Sequence, residues 1–451
     1  MYTFIAFLVL FTLLLQRWLT LRQLNGPWIA RFTNLWQAIH IVKGDLPEVV
    51  LELHKRHGPL VRVGPNHVSV ADPAEIKNIY RLPKGNLYQM LIAYVNGKRI
   101  MGWEGILDEK LHSALRRPVA PYYRLESVLG FEPRLEETIS EFETHLSRMR
   151  DVDMTKWIPL FALDTINQIG FSNSANIMKQ GRDVDGVFTL IRFAFRYYSF
   201  IITVPTFGRA LNYIASFFIN PRNGLVRRVV SLAHARYHTA QKSDPSDLLG
   251  YFLEASRKHP GLYNVDGVID LTYTALLGGV HNTSSTLIFM FYDLLKHPAS
   301  LSKVQDELDA AVAHGGLSYP PKWKDIRNLR YLDAAIKEAM RYRSLSRFVI
   351  EREVGPHGIQ LCGQDIPPGT MVGCLQHVIH HNSTFGYDVH TFRPERWLEC
   401  TDEERLVMER SILTFGYGAH NCVGQNIVRL IIYKLLAALL LRFKVGSSFI
   451  I

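Results

Sequence analysis

Cysteine is scarce in this chain: among 451 residues it occurs at Cys362, Cys374, Cys400 and Cys422 and nowhere else. The four form no CxxC pair and no dense framework, which excludes a disulfide-stapled fold and points to a reducing, cytosol-facing compartment. The first three are read as packing residues. No linker, repeat or low-complexity tract divides the sequence, so its length is read as one large domain rather than several. No nucleic-acid-binding motif is present, and the 51 Lys and Arg, set against 41 Asp and Glu for a formal charge of +10, are dispersed rather than clustered. That excess is assigned to a membrane surface and an acidic protein partner, not to nucleic acid.

Apolar and helical pattern is what the chain has in quantity. Hydrophobic residues make up 47% and aromatic residues 11%, enough for a sizeable core, and helical periodicity outweighs alternation. The class is therefore mainly α with small β-sheets. Asp45 is the expected N-cap of an amphipathic helix ending at His57, and Leu60–Val63 and His67–Val70 alternate around Gly64 and Pro65 as a hairpin. At the start, Tyr2–Leu15 is an almost unbroken apolar run followed by Arg17, Trp18 and Arg22. It has neither the basic leader nor the small-residue cleavage site of a secretory signal. Residues 1–22 are expected to be a single-pass membrane anchor, with Arg17, Arg22 and Arg31 holding residues 23–451 on the cytosolic side. The run is shorter than the ~20 residues a spanning helix needs, and a buried core helix is the alternative.

The stretch with chemical content is FGYGAHNCVG, Phe415 to Gly424, which runs into an apolar helical segment over Val423–Leu441. A thiolate is favoured where a loop becomes a helix, because the unpaired N–H groups there carry partial positive charge. Gly418 is expected to turn the loop and Gly424 to leave room for a flat ligand, with Phe415 beside it. A lone cysteine elsewhere is usually a buried free thiol. The spacing of Phe415, Gly418, His420, Cys422 and Gly424 resembles the signature of the cytochrome P450 family, and matching segments run in the family's order from about Gly58 to Leu441.

That resemblance implies the cytochrome P450 fold, haem b as cofactor and Cys422 as the iron ligand, with Phe415, Gly418, His420 and Gly424 around it. In HSALRRPV, His112 and Arg116 are four residues apart on one helical face. The resemblance makes them donors to a haem propionate, with Arg352 of RFVIEREV a further propionate ligand. In YLDAAIKEAMR, Glu338 and Arg341 are spaced for an ion pair. By resemblance to the family's ExxR element that pair is buried and completed by Arg396 of FRPERW, locking the segment that carries Cys422. Ser344 stands where the family commonly has proline, and His377 where an aromatic is common. The aromatic and basic segment Ile191–Phe218 matches the family's lid over the substrate channel.

A long apolar helix is expected over Val265–Leu295, centred on LLGGVHNTSST. The resemblance makes this the oxygen-activating segment, with Gly278 and Gly279 admitting dioxygen and substrate to the backbone. The family's acid and alcohol are missing: His281 and Asn282 stand in their places, with Thr283 one residue on. His281, Asn282 and Thr283 are the candidate catalytic residues for proton delivery, since an imidazole also relays protons. A helix histidine with no such role is the other reading of His281.

The activity implied is insertion of one oxygen atom from O2 into a hydrophobic small molecule, in fungal secondary metabolism. Electrons would come from NADPH through a flavoprotein partner, NADPH-cytochrome P450 reductase, and the location would be the endoplasmic reticulum membrane, in contact with lipid. Two rivals stand beside it. The altered acid and alcohol pair suggests a reductase-independent isomerase or peroxide-using enzyme. The chain ends soon after the Val423–Leu441 segment, at LLLRFKVGSSFII, without the C-terminal β-hairpin usual in the family, which suggests a non-catalytic truncated haem-binding product.

Overall fold

The protein is described by a computed structural model that covers residues 12–444 apart from short interruptions, the longest being 194–207, 215–223 and 240–245. The helices used below are α1 (Leu35–Lys43), α2 (Leu46–His57), α3 (Glu109–Val119), α4 (Glu132–Leu146), α5 (Met154–Phe171), α6 (Leu225–Thr239), α7 (Leu248–Lys258) and α8 (Val265–Lys296). They continue as α9 (Pro298–Ala313), α10 (Arg330–Tyr342), α11 (Gln376–His380), α12 (Asp402–Ser411) and α13 (Gln425–Arg442). The strands are β1 (Leu60–Gly64), β2 (His67–Val70), β3 (Ala93–Val95), β4 (Lys98–Ile100), β5 (Ile350–Glu353), β6 (Ile359–Leu361), β7 (Gln364–Ile366) and β8 (Met371–Cys374). The expected class, mainly α with small sheets, is what is found.

Local chemistry sets several boundaries. Asp108 caps α3 by accepting from the Lys110 and Leu111 amides, and Asp153 caps α5 through Thr155 and Lys156. Thr401 and Glu404 close a reciprocal capping box on α12. Asp45 sits at the N-cap of α2 but makes no side-chain cap; its Oδ1 pairs instead with His40 Nδ1 at 2.7 Å. The imidazole of the preceding helix outcompetes the backbone for that carboxylate.

β1 and β2 form the expected antiparallel hairpin, Leu60 opposite Val70. β2 then pairs in parallel with β8, Val68 beside Val372, and β8 pairs antiparallel with β5, giving the order β1-β2-β8-β5. Three hundred residues of sequence separate β2 from β8, so this sheet ties the two ends of the chain together. Leu21 and Leu24 pack against it in one cluster with Val68, Val70, Ile76 and Val372, all nearly inaccessible.

The helical core is organised on α8, a 32-residue helix capped by Asn264. α5 packs closely along it: a Cβ added to Gly279 would come within 2.6 Å of Ile166 Cδ1. α13, almost wholly buried from Ile427 to Leu440, and α10 join the same cluster.

The expected membrane anchor is not upheld. Among the described residues no helix is long and apolar enough to cross a membrane. The fourteen residues Tyr2–Leu15 would, as a helix, measure only about 21 Å, against a hydrocarbon core of about 30 Å. The single-pass endoplasmic reticulum location falls with it. Residues 2–15 lie, Thr12 and Leu15 excepted, outside the described residues, as do most of the expected lid at 191–218 and the chain end from 445.

Candidate cofactor and active site

The loop before α13 is shaped by two glycines in the left-handed region, Gly416 (φ 72) and Gly418 (φ 66). Gly418–His420 forms a single tight turn, closed by the Asn421 amide donating to Gly418 O at 3.1 Å. The Cys422 amide then donates to Phe415 O at 2.6 Å, which folds the loop back and fixes where the sulfur leaves the backbone. Phe415 lies under the Arg429 guanidinium, 5.7 Å from its ring centre. Gly424 is the N-cap of α13 with an ordinary φ of −78; a Cβ there would lie 3.9 Å from the Cys422 sulfur, in ordinary van der Waals contact with it.

Cys422 is open on one side and enclosed on the others: it retains accessible surface, yet the surrounding protein desolvates its sulfur. Burial pushes the thiol up, and the Gly424 amide and Arg116 pull the other way without prevailing. The expectation that the helix end alone favours the thiolate is thus corrected, because desolvation outweighs one N–H and a distant guanidinium. Binding to a metal cation deprotonates such a thiol outright.

Beside the sulfur is a group of basic side chains gathered from four parts of the chain. Arg116 of α3 donates through Nη2 to Asn421 Oδ1 at 2.6 Å, one residue from Cys422. The His112 and His420 rings lie 4.5 Å apart. Arg352 of β5 is 1% exposed and donates to Tyr88 Oη at 2.7 Å and Glu351 O at 2.9 Å. Lys84, 3% exposed, donates to Glu104 O at 3.0 Å and Ile106 O at 3.2 Å.

These charges depress one another. Burial, then Lys84, Arg116 and Arg352, lowers His112 to about 4. Burial, then Arg352, Lys84, His112 and Arg116, lowers His420 to about 3. Lys84 itself is lowered to about 8, chiefly by burial. One buried donor in the group, Arg352 Nε, has no hydrogen-bond partner, and neither has the ring nitrogen Nδ1 of His420, whose Nε2 meets Glu109 Oε2 at 2.9 Å. An orphaned buried donor beside other basic side chains is costly. The donor set fits an anionic ligand with more than one carboxylate. Glu109, His112 and His420 bring ligand atoms within 4.8 Å of one another, a geometry that suits a cation; the guanidinium and ammonium groups around them favour an anion instead.

Lys84 and Tyr88 were not foreseen. They lie in a stretch with no periodic signal, brought to β5 by the bridge between Lys84 and Arg352 and by the Leu87 amide donating to Glu351 Oε1 at 2.7 Å.

Behind the loop stands the ion-pair lock. Arg341 donates from Nε to Glu338 Oε2 at 2.9 Å and from Nη2 to Oε1 at 2.7 Å. Arg396 Nε reaches the same Oε1 at 3.0 Å, Trp397 Nε1 reaches Oε2 at 3.0 Å and the Arg393 amide reaches Oε1 at 2.9 Å. Arg341 spends its remaining donors on the His380, Val389 and Thr391 carbonyls, and Arg396 on Phe385 O, Asp388 and Thr391 O. Every lone pair and proton of a buried charge network needs such a partner.

On α8 the three candidates part company. A Cβ at Gly278 would meet nothing within 4 Å, and Gly278 and Asn282 are exposed in the middle of an otherwise buried helix. One face of α8 is therefore open. Asn282 is on it and His281 on its flank, where burial keeps the imidazole below its usual value. Thr283 points the other way, 1% exposed with Oγ1 unpartnered. Gly279 serves the packing of α5 and not access to the backbone, because its hydrogen faces Ile166.

Comparison with known proteins places these residues in context. The family model described as Cytochrome P450 matches residues 24–448. A cytochrome P450 monooxygenase of Aspergillus terreus is 33% identical over 96% of this chain and 92% of its own length. The cytochrome P450 monooxygenase cicH of Emericella nidulans is 32% identical over 95% of this chain and 89% of its own. The cytochrome P450 monooxygenase easK of Aspergillus fumigatus is 30% identical over 89% and 95%.

Proposed function

This chain belongs to the cytochrome P450 family and is a monooxygenase; on that premise we propose which of its residues carry the reaction. The observation that carries the assignment is the juxtaposition of Cys422 with the cationic group at Arg116, through the contact of Arg116 with Asn421.

Cys422 would ligate the iron. His112, Arg116, Arg352, Lys84 and His420 would hold the haem carboxylates, with Phe415 and Gly424 beside the sulfur. Gly418 sets the turn that aims the thiolate. Bound haem, taken here as haem b, supplies the dioxygen chemistry, and a thiolate ligand favours O–O cleavage by donating electron density. The protein's part is to keep the thiolate in place and to deliver protons. Asn282 is placed to hold a water on the open face of α8. His281, neutral near pH 7, accepts a proton at one ring nitrogen and releases one from the other. Glu338, Arg341 and Arg396 act at a distance, by fixing the segment that leads to Cys422.

The substrate is a hydrophobic small molecule of fungal secondary metabolism, a reading supported by likeness to cicH and easK. Electrons come from NADPH through a flavoprotein reductase. The reduced-protein carbon monoxide difference spectrum tests the assignment. The wild type is expected to give the red-shifted band of thiolate ligation and Cys422→Ser to lose it; a wild type without that band overturns the reading. NADPH with reductase, compared against peroxide alone, tests the electron source.

A further inference from the structure

Glu351 is a buried acid next to the basic side chains described above, and the reaction makes no use of it. It is 4% exposed and precedes Arg352 on β5. Side chains alternate along a strand, so the two leave β5 on opposite faces. By charge alone, a carboxylate placed here works against a site for anions. Its contacts show a different use.

β5 is an edge strand of its sheet, and the segment from Pro83 onward covers that edge. The Glu353 amide donates to Pro83 O at 3.0 Å, and Lys84 forms an antiparallel bridge with Arg352. Gly85 then lies so close to Glu351 that an added Cβ would come within 2.6 Å of Oε1 and 2.7 Å of Cγ. At Leu87 the amide donates to Glu351 Oε1 at 2.7 Å, so a side chain of β5 takes over from its backbone as the chain turns into the 3-10 helix Asn86–Leu91. The other oxygen, Oε2, lies 3.8 Å from His67 Nδ1 of β2.

Lys84 and Tyr88 flank this contact. Tyr88 Oη accepts from Arg352 Nη1 at 2.7 Å, and the guanidinium lies 5.2 Å from the Tyr88 ring centre and 5.0 Å from that of Tyr80. Nη1 also donates to Glu351 O at 2.9 Å, while Nε is the donor left without a partner. The place of Tyr88, and with it the direction in which Arg352 presents Nε, is thus held from the opposite face of the strand.

We propose that Glu351 is a positioning residue for the cofactor carboxylates. By accepting from the Leu87 amide it fixes Lys84 and Tyr88 about Arg352, and it acts as a hydrogen-bond acceptor, against the sign of its own charge. The inference rests on the assignment of Arg352 and Lys84 to the haem carboxylates.

Haem and haem dimethyl ester, in which both carboxylates are capped, separate this role from a merely structural one. Each is loaded into the full-length chain, and its transfer to excess apo-globin is timed. The wild type is expected to release the ester at least ~10-fold faster than haem. Glu351→Leu should release haem ~10-fold faster than the wild type and change ester release by less than about twofold, so that the preference collapses. Glu351→Gln keeps an acceptor and loses the charge, and should hold haem at least as well as the wild type. Tyr88→Phe keeps the ring but not the acceptor for Arg352; it should lose part of the preference, and it carries the test if Glu351→Leu does not load.

Haem release that is unchanged or slower in Glu351→Leu, equal acceleration of haem and ester, haem loss in Glu351→Gln as large as in Glu351→Leu, or an undiminished preference in Tyr88→Phe overturns the role. A wild type that releases haem and ester alike overturns the carboxylate-binding group itself, and this role with it. Discrimination by the wild type that survives in the variants overturns the role of Glu351 alone.

Discussion

Arg341 holds both oxygens of Glu338, one through Nε at 2.9 Å and the other through Nη2 at 2.7 Å, and neither side chain has accessible surface. Since Arg396 and Trp397 complete the same carboxylate, removing it strands two guanidinium groups in the interior. Glu338→Ala is expected to cost about 3–5 kcal/mol, read as a lower denaturant midpoint. A loss below ~1 kcal/mol would mean the network behaves as a surface pair.

Arg352 and Lys84 bear on cofactor retention. Arg352→Met should weaken haem binding by roughly 10- to 100-fold, the effect of one charge-assisted hydrogen bond, and Lys84→Met should do so to a smaller extent. Transfer of haem to an apo-globin acceptor measures this without any turnover. Unchanged transfer rates in both variants would remove them from the carboxylate-binding group.

Opposite fates are expected for neighbouring residues on α8. His281→Ala should lower turnover by about 100-fold or more if it relays protons, with haem content unchanged. Thr283→Val should leave turnover within about twofold and stability equal or slightly higher, because its hydroxyl is buried without a partner. Turnover lost in Thr283→Val and kept in His281→Ala would reverse the assignment.

His380 gives a pH dependence of stability. Its Nε2 accepts from the Leu413 amide at 2.9 Å, and burial, then Arg341 and His377, lowers it to about 3. Unfolded, it titrates near 6.5. Below that pH the unfolded chain binds a proton the folded chain refuses, so stability falls as pH drops from about 6.5 to about 3, at up to ~1.4 kcal/mol per unit for this one group. Denaturant melts from pH 7 to 4 should show a shallower slope for His380→Gln than for the wild type; parallel slopes would exclude His380 as the cause.

Asp270 has the opposite sign. Folded it titrates at about 7, unfolded near 3.9. Between those values the folded state holds the extra proton, and stability falls as pH rises. Asp270→Asn should gain on the wild type from pH 5 to pH 8 in the same melts. A constant difference between the two would mean the carboxylate is not desolvated.

The motifs were legible because they are local. Phe415 to Gly424, Glu338 with Arg341, and His112 with Arg116 each lie within a few residues, where spacing alone fixes a shared face or turn. Lys84 carries no such sign, since its role depends on pairing with Arg352 across more than 250 residues of chain. The anchor failed for the reverse reason: hydropathy was legible, but helix length set against bilayer thickness decides whether a segment spans.

Gly279 and Gly278 draw the same line on adjacent residues. Sequence by itself determined the mainly helical class, the loop that presents Cys422, and a long helix with two glycines at its centre, because capping, periodicity and backbone freedom act over a few residues. Tertiary structure decided that Gly279 meets Ile166 while Gly278 faces open space, that Thr283 turns inward, and that Asp270 is buried with no ion pair among the described residues. A helix has sides in the sequence, but what lies against each side is set by the elements that pack there.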